Sequence, residues 1–536
     1  MEYGLHTDLK IYAGGLGILA GDYLKAAYEQ GAPLVGIGIL WRQGYTKQLI
    51  NADGRPYDAY PCYKYDFLHD TGVTVTVDIR GRAVCAKVWL VDQFGNAPLY
   101  LLDTNVPENH DPWITGQLYG WFSEERIAQE MILGIGGLRA LRALGLKVDI
   151  YHFNEGHAVF AGIELIREKI EAGMDFESAY TATRKEIVFT THTPVKEGNE
   201  AHNHDLLQYM GAYNGLSRAQ MELLGGDPFN MTVAGLHLSR IANGVSTLHT
   251  ATTQRMWEAV DNRPPIIAIT NGVHRKTWVD ERISKAYAEG GDLWGAHMAA
   301  KEELIIDVER RSGQRLSSSA LLIGFARRVV PYKRSDLIFR RPEIIDPLLR
   351  EGKIQILFAG KAHPLDDAGK ETITRLVKIS RQYPQGVVFL EDYDMEIGRL
   401  LTRGCDLWLN NPRRPLEASG TSGMKAAMNG VLNLSILDGW WPEGCIHGKN
   451  GWQFGSDCEG SEQDLEDVAS LYTVLLDEVL PTYYGRREEW IAMMRASIAM
   501  ASEQFSAARM LNEYYTLMYG NYSGCPEHNF CHCESS

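Results

Sequence analysis

Residues 321–334 read LLIGFARRVVPYKR, a five-residue apolar run, Leu321–Phe325, that leads directly into four cations. An unbroken apolar run of this length, with no polar alternation, is the pattern of a strand covered on both faces, as in parallel sheets. Further apolar-rich strand candidates follow at Ile354–Ala359, Val387–Leu390, Leu407–Leu409 and Val431–Leu437, with helical periodicity over Asp336–Arg350 and Lys370–Gln382 between them. Strands alternating with helices predict a doubly wound parallel sheet, whose ligands bind at the carboxyl ends of the strands. Crowding Arg327, Arg328, Lys333 and Arg334 at such an end is costly without anions to neutralise them, so the segment is either an anion clamp or a solvated basic turn.

Upstream, strands are expected at Pro33–Leu40, Ala83–Val91, Pro98–Leu102, Asp149–Phe153 and Ile187–Thr191, and a long buried helix at Glu124–Leu144. A boundary falls near Asn271–Asp280, after the strand Ile266–Ile269. The expected organisation is α/β, with two Rossmann-like doubly wound domains facing one cleft. They cover residues 1–274 and 275–505, and residues 506–536 form a terminal helix and flexible tail.

Composition narrows the function. A net charge of −15 argues against a nucleic-acid or acidic-membrane surface, and no apolar run reaches membrane-spanning length. The start, MEYGLHTDLK, has no signal-peptide pattern, and eight cysteines in 536 residues do not make a disulfide scaffold, so a cytoplasmic protein is expected. Cys525, Cys531 and Cys533 with His528 and His532 match no common zinc spacing. His152–His157 and His202–His204 lack the HExxH spacing, and no metal is expected.

The chemistry is carried by Glu417–Asn429, EASGTSGMKAAMN. A Gly/Ser/Thr-rich turn lets a ligand approach the backbone, and a helix start favours anions. Lys425 on the helix that follows suits a Schiff base to an aldehyde cofactor bearing a phosphate, or serves as a point charge beside a phosphate-binding turn. The Walker order is absent. Ala13–Gly17, AGGLG before a helix start, is a second candidate phosphate loop or a plain tight turn. His192 in Thr191–Thr193 and Asn271 in Thr270–Gly272 follow expected strands, and each has an ordinary structural reading as well. No pair of carboxylates is spaced as a glycosidase acid and base.

The segment 417–429 closely resembles the pyridoxal-phosphate attachment site of the α-glucan phosphorylases, and the resemblance extends from the first residues to about Met510. It implies the glycosyltransferase-B arrangement and reversible phosphorolysis of α-1,4-glucan or maltodextrin to glucose 1-phosphate with retention, the cofactor phosphate relaying a proton. Lys425 would carry pyridoxal 5′-phosphate, with Gly15, Arg327, Thr421 and Tyr393 around it. Arg328 and Lys333 would hold inorganic phosphate or glucose 1-phosphate, with Leu16 offering an amide. His192, Asn271, Tyr332, Glu417, Ser419 and Gly420 would surround the sugar, the His192 carbonyl facing the developing cation. The family commonly forms homodimers, and it has a strand before the segment matching Met1–Gly4. Arg327 stands where many relatives carry lysine, and Pro331 departs from the expected Glu or Thr. Two other readings share these features: a retaining nucleotide-sugar glycosyltransferase, and an inactive glucan-binding homologue.

Overall fold

The computed structural model describes residues 1–120, 122–195, 198–456 and 460–520. The Cys/His-rich segment beyond 520 therefore lies outside the described residues.

The second half is built on a six-stranded sheet in the order Val387–Leu390, Ile354–Ala359, Leu321–Ala326, Leu407–Asn410, Leu432–Ile436, Gly451–Phe454. Every pairing is parallel. Leu321–Ala326 and Ile354–Ala359 are buried at every position, so the first is apolar throughout, and the one polar residue of the second, Gln355, is satisfied by the Ser317 amide and the Gln385 carbonyl. The chain reverses its direction of winding between Leu321–Ala326 and Leu407–Asn410, the crevice where open α/β sheets take ligands.

The first half holds a four-stranded parallel sheet, Ile266–Ala268, Ile241–Gly244, Ile187–Thr190, Tyr151–Asn154. A further sheet pairs Gly36–Ile39 in parallel with Leu99–Asp103 and then adds Arg82–Val91 and His69–Ile79 antiparallel. The expected parallel α/β architecture is present, with this antiparallel hairpin added. It turns at Arg80–Gly81, both with positive φ, as a two-residue type I′ turn requires. The expected helix Glu124–Leu144 is a continuous rod with a π-turn, Ile132–Gly136, set between Ser123–Met131 and Gly137–Ala143.

Apolar side chains gather into one large core from Tyr3 to Ile269, which also takes in Ala507, Met510, Leu511, Tyr514 and Met518. Another runs from Ile283 to Ile498. The terminal helix Ala507–Tyr514 thus returns to the first half, its start held by paired amide bonds between Val273 and residues 505 and 507. No described helix is long and apolar enough to cross a membrane.

Candidate functional site

Three of the four cations after Leu321–Ala326 behave as a set, and one does not. Arg334, with φ +48, turns away and pairs with Asp464 at 2.8 Å and Asp467 at 2.7 Å. Lys333 and Arg327 converge on Glu417, at 2.8 and 3.1 Å, all three buried. Burial alone would raise the Glu417 carboxyl, but Lys333 and Arg327 more than offset it and hold it below its ordinary value. Lys333 is pushed down to about 8 by burial and by Arg327, against the pull of Glu417. Arg328 remains exposed, and its charge bears on Glu417, Lys333 and Tyr332. Three cations against one carboxylate leave a local excess of positive charge in a chain that is acidic overall.

The loop after Leu407–Asn410 holds this cluster in place. Asn411 donates to the carbonyls of Lys333 and Arg334, and the Arg413 amide donates to that of Tyr332. Asp438, fully buried, accepts from the amides of Glu417 at 2.9 Å and Gly439 at 2.8 Å. Burial lifts its carboxyl to about 7. Gly420, φ +86, opens the helix Thr421–Met428 in a conformation that a side chain would strain. Ser419 is buried, and its Oγ has no partner.

Lys425 lies on that helix, buried, with Nζ 3.6 Å from the centre of the Trp278 ring. Burial lowers it to about 8, opposed by Asp22. Asn429 donates to the carbonyls of both Lys425 and Trp278, clamping the helix to the indole. Tyr393 packs against Gly398, and burial, eased by Arg327, places its hydroxyl at about 12.

The remaining expected residues come from the first half. Gly15 starts the helix Gly15–Glu29, and nothing lies within 4 Å of where its Cβ would be. Leu16 follows on the same turn, half-buried. Glu2 braces the preceding loop, accepting from the amides of Ala13 and Gly14. His192 and Asn271 lie beyond the carboxyl ends of Ile187–Thr190 and Ile266–Ala268, two strands of one sheet separated by Ile241–Gly244. His192 is kept neutral by burial, which lowers it to about 3, and its ring bonds Asn154 at 2.5 Å. Asn271 Oδ1 is buried without a partner. Ser246, at the end of Ile241–Gly244, donates to the Ala418 carbonyl at 2.7 Å, so the strand ends of both halves meet at the 417–420 loop.

Sequence reasoning passed over Glu2, Asp22, Glu155, Trp278 and Asp438. Glu155 has φ +73 and accepts from the His192 amide at 2.7 Å. The available signal for Asp22 was an acid inside an apolar helical run, GLGILAGDYLKAA, which demands a buried partner. Among the described residues, Glu130, His157 and Glu200 are close enough to hold an ion. Arg126 already pairs with Glu200 at 2.7 Å and Glu130 at 3.4 Å, compensating their charge internally.

Residues 291–455 match the family model described as carbohydrate phosphorylase. A maltodextrin phosphorylase of Thermococcus litoralis is 40% identical over 97% of this chain and 70% of its own length. A glycogen phosphorylase of Mycobacterium tuberculosis is 38% identical with the same coverage. An uncharacterised protein of Methanocaldococcus jannaschii is 36% identical over 97% of this chain and 98% of its own length. With these relatives matching both halves, and with the site geometry described above, the chain belongs to the carbohydrate phosphorylase family.

Proposed function

We propose that this protein catalyses reversible phosphorolysis of α-1,4-glucan or maltodextrin, releasing glucose 1-phosphate with retention, and that Lys425 carries pyridoxal 5′-phosphate. The observation that carries the reading is the state of Lys425: a buried amine resting on an indole face, with no hydrogen bond to it among the described residues. An ammonium so placed is costly unless it is neutral or engaged by a ligand.

The surrounding residues fit that cofactor. The amine is poised near neutrality, the glycine loop at 15 is open, and the 327–333 cluster has charge to spare for anions. When bound, the cofactor supplies a phosphate able to exchange a proton with the substrate phosphate. The protein's own part is electrostatic and positional. Arg327 would hold the cofactor phosphate, and Arg328 with Lys333 the substrate phosphate, so that two anions could stay close. Thr421 and Gly15 would offer the cofactor backbone amides at two helix starts, Leu16 would offer the substrate phosphate its own amide, and Tyr393 would pack near the cofactor. Glu417, Ser419, Gly420, Tyr332, His192 and Asn271 bind sugar hydroxyls, for which the unpartnered Ser419 Oγ and Asn271 Oδ1 are suited. A neutral His192 adds no repulsion to the positive charge that develops on the sugar. A cytoplasmic homodimer completes the proposal, and light scattering would check the dimer.

Borohydride reduction followed by peptide mass spectrometry should place a pyridoxyl adduct on Lys425. Lys425→Ala should lose cofactor retention, whereas Arg328→Ala should keep the cofactor and use phosphate at least tenfold less well, as expected for one lost charge-assisted contact of about 1.4 kcal/mol or more. A colourless, cofactor-free enzyme that is active with nucleotide sugar would favour the glycosyltransferase reading instead. Maltodextrin binding without release of glucose 1-phosphate would favour an inactive homologue.

A further inference from the structure

Asp22 is a carboxylate with no exposed surface, placed on the helix Gly15–Glu29 of the first half. It reaches the second half through Trp278, whose Nε1 donates to both carboxylate oxygens, at 2.8 and 3.1 Å. The His274 amide donates to it as well, at 3.1 Å. The face of the same indole carries the Lys425 amine at 3.6 Å from its centre. One ring therefore joins a buried acid and a buried amine that come from opposite halves of the molecule. A fully buried acid is expensive to keep unless a cation answers it, and an indole N–H alone does not.

We propose that Asp22 is the positioning residue and counter-ion of Lys425: it fixes the indole on which the amine rests and supplies the negative charge that faces a cationic nitrogen at that position. This rests on the reading of Lys425 as the cofactor lysine. Two consequences follow. The attachment site is complete only when both halves are docked, because the acid and the amine belong to different halves. Asp22 also governs how readily the nitrogen keeps its proton: burial raises the Asp22 carboxyl and lowers the Lys425 amine, and each group's charge partly offsets the shift of the other. The other charged groups here are Lys25 and His274, which bear on Asp22 directly, and Glu29 and Arg399 behind them. Lys25 donates to Thr277 at 2.9 Å, and His274 pairs with Glu29 at 3.2 Å.

The test uses the full chain treated with pyridoxal 5′-phosphate and cyanoborohydride over a range of pH, with the adduct at Lys425 quantified by peptide mass spectrometry. Asp22→Asn keeps an acceptor oxygen for Trp278 but removes the charge. Its rising limb of trapping should move to lower pH than in the wild type, because the amine loses the anion that holds its proton. Asp22→Glu, which restores the charge, should keep the wild-type limb. Trp278→Phe leaves the charge and removes the Nε1 anchor, so its limb should stay while maximal trapping falls. That variant tests the proposal even if Asp22→Asn does not fold. A profile for Asp22→Asn that superimposes on the wild type, or full trapping in Trp278→Phe, overturns the proposal and leaves the cofactor reading intact. No adduct at Lys425 in the wild type overturns both.

Discussion

At the scale of single residues, the site is a set of buried charges whose proton affinities are set by their neighbours. Burial pushes the Glu417 carboxyl up, and Lys333 and Arg327 draw it down past its ordinary value. Asp438, one hydrogen bond behind it, is lifted to about 7 by burial. Its folded value lies above the ordinary carboxylate range, so ionisation opposes folding. The stability it contributes is complete at acidic pH and is lost as pH rises through about 7. Asp438→Asn removes that titration. Between about pH 4 and about pH 8 the wild type should lose on the order of 4 kcal/mol relative to the variant, read by urea unfolding. A stability difference that stays flat over this range would show that Asp438 is ionised throughout.

At the scale of elements, close backbone approach decides where the first helix sits. Gly21, in the middle of Gly15–Glu29, would place a Cβ only 2.2 Å from the carbonyl oxygen of Gly4. The amide of Gly4 in turn donates to the carbonyl of Gly17 at 2.7 Å. Alanine in a helix interior ordinarily gains about 1 kcal/mol over glycine. Here the clash with a backbone atom cannot be relieved by a rotamer change, and Gly21→Ala should instead lose about 1–3 kcal/mol, the usual range for overpacking. Thermal unfolding reads the sign directly. Because the same helix carries Gly15 and Asp22, the variant should also retain its cofactor less well; an unchanged or raised melting temperature would mean that residues 3–5 yield easily.

At the scale of the whole molecule, the chain crosses from the second half back to the first. Met510, Leu511, Tyr514 and Met518 are buried in the first core, and the Tyr514 hydroxyl accepts from Asn243 at 3.1 Å. Fully burying such a side chain is worth about 1.5–3 kcal/mol. Four of them together rival the typical net stability of a domain, about 5–15 kcal/mol. A chain ending at Gln504 should therefore lose protease resistance in its first half while a fragment spanning residues 283–498, which has its own core, survives. Equal resistance of both halves would show that the terminal helix is dispensable. The small hairpin Lys47–Ile50 and Pro56–Ala59 adds another tie, with Gln48 bonding both backbone groups of Ala362.

Local pattern was enough for the parts of this protein whose chemistry is local. Strands such as Leu321–Ala326 and Val387–Leu390 are visible as unbroken apolar runs, because a strand covered on both faces favours apolar residues at successive positions. The half-exposed strand His69–Ile79 has alternating polarity and escaped that search. The cationic turn and the lysine segment likewise stood out, since small residues and cations at fixed spacing are readable in one dimension. Partnership across the fold was not readable. Which cation leaves the cluster, which acid sits behind Glu417, and that Asp22 answers Lys425 through Trp278 depend on residues brought together from separations of 21 to 403 positions. Burial and pairing energies exist only once the two halves have closed on each other, and no stretch of the chain records them alone.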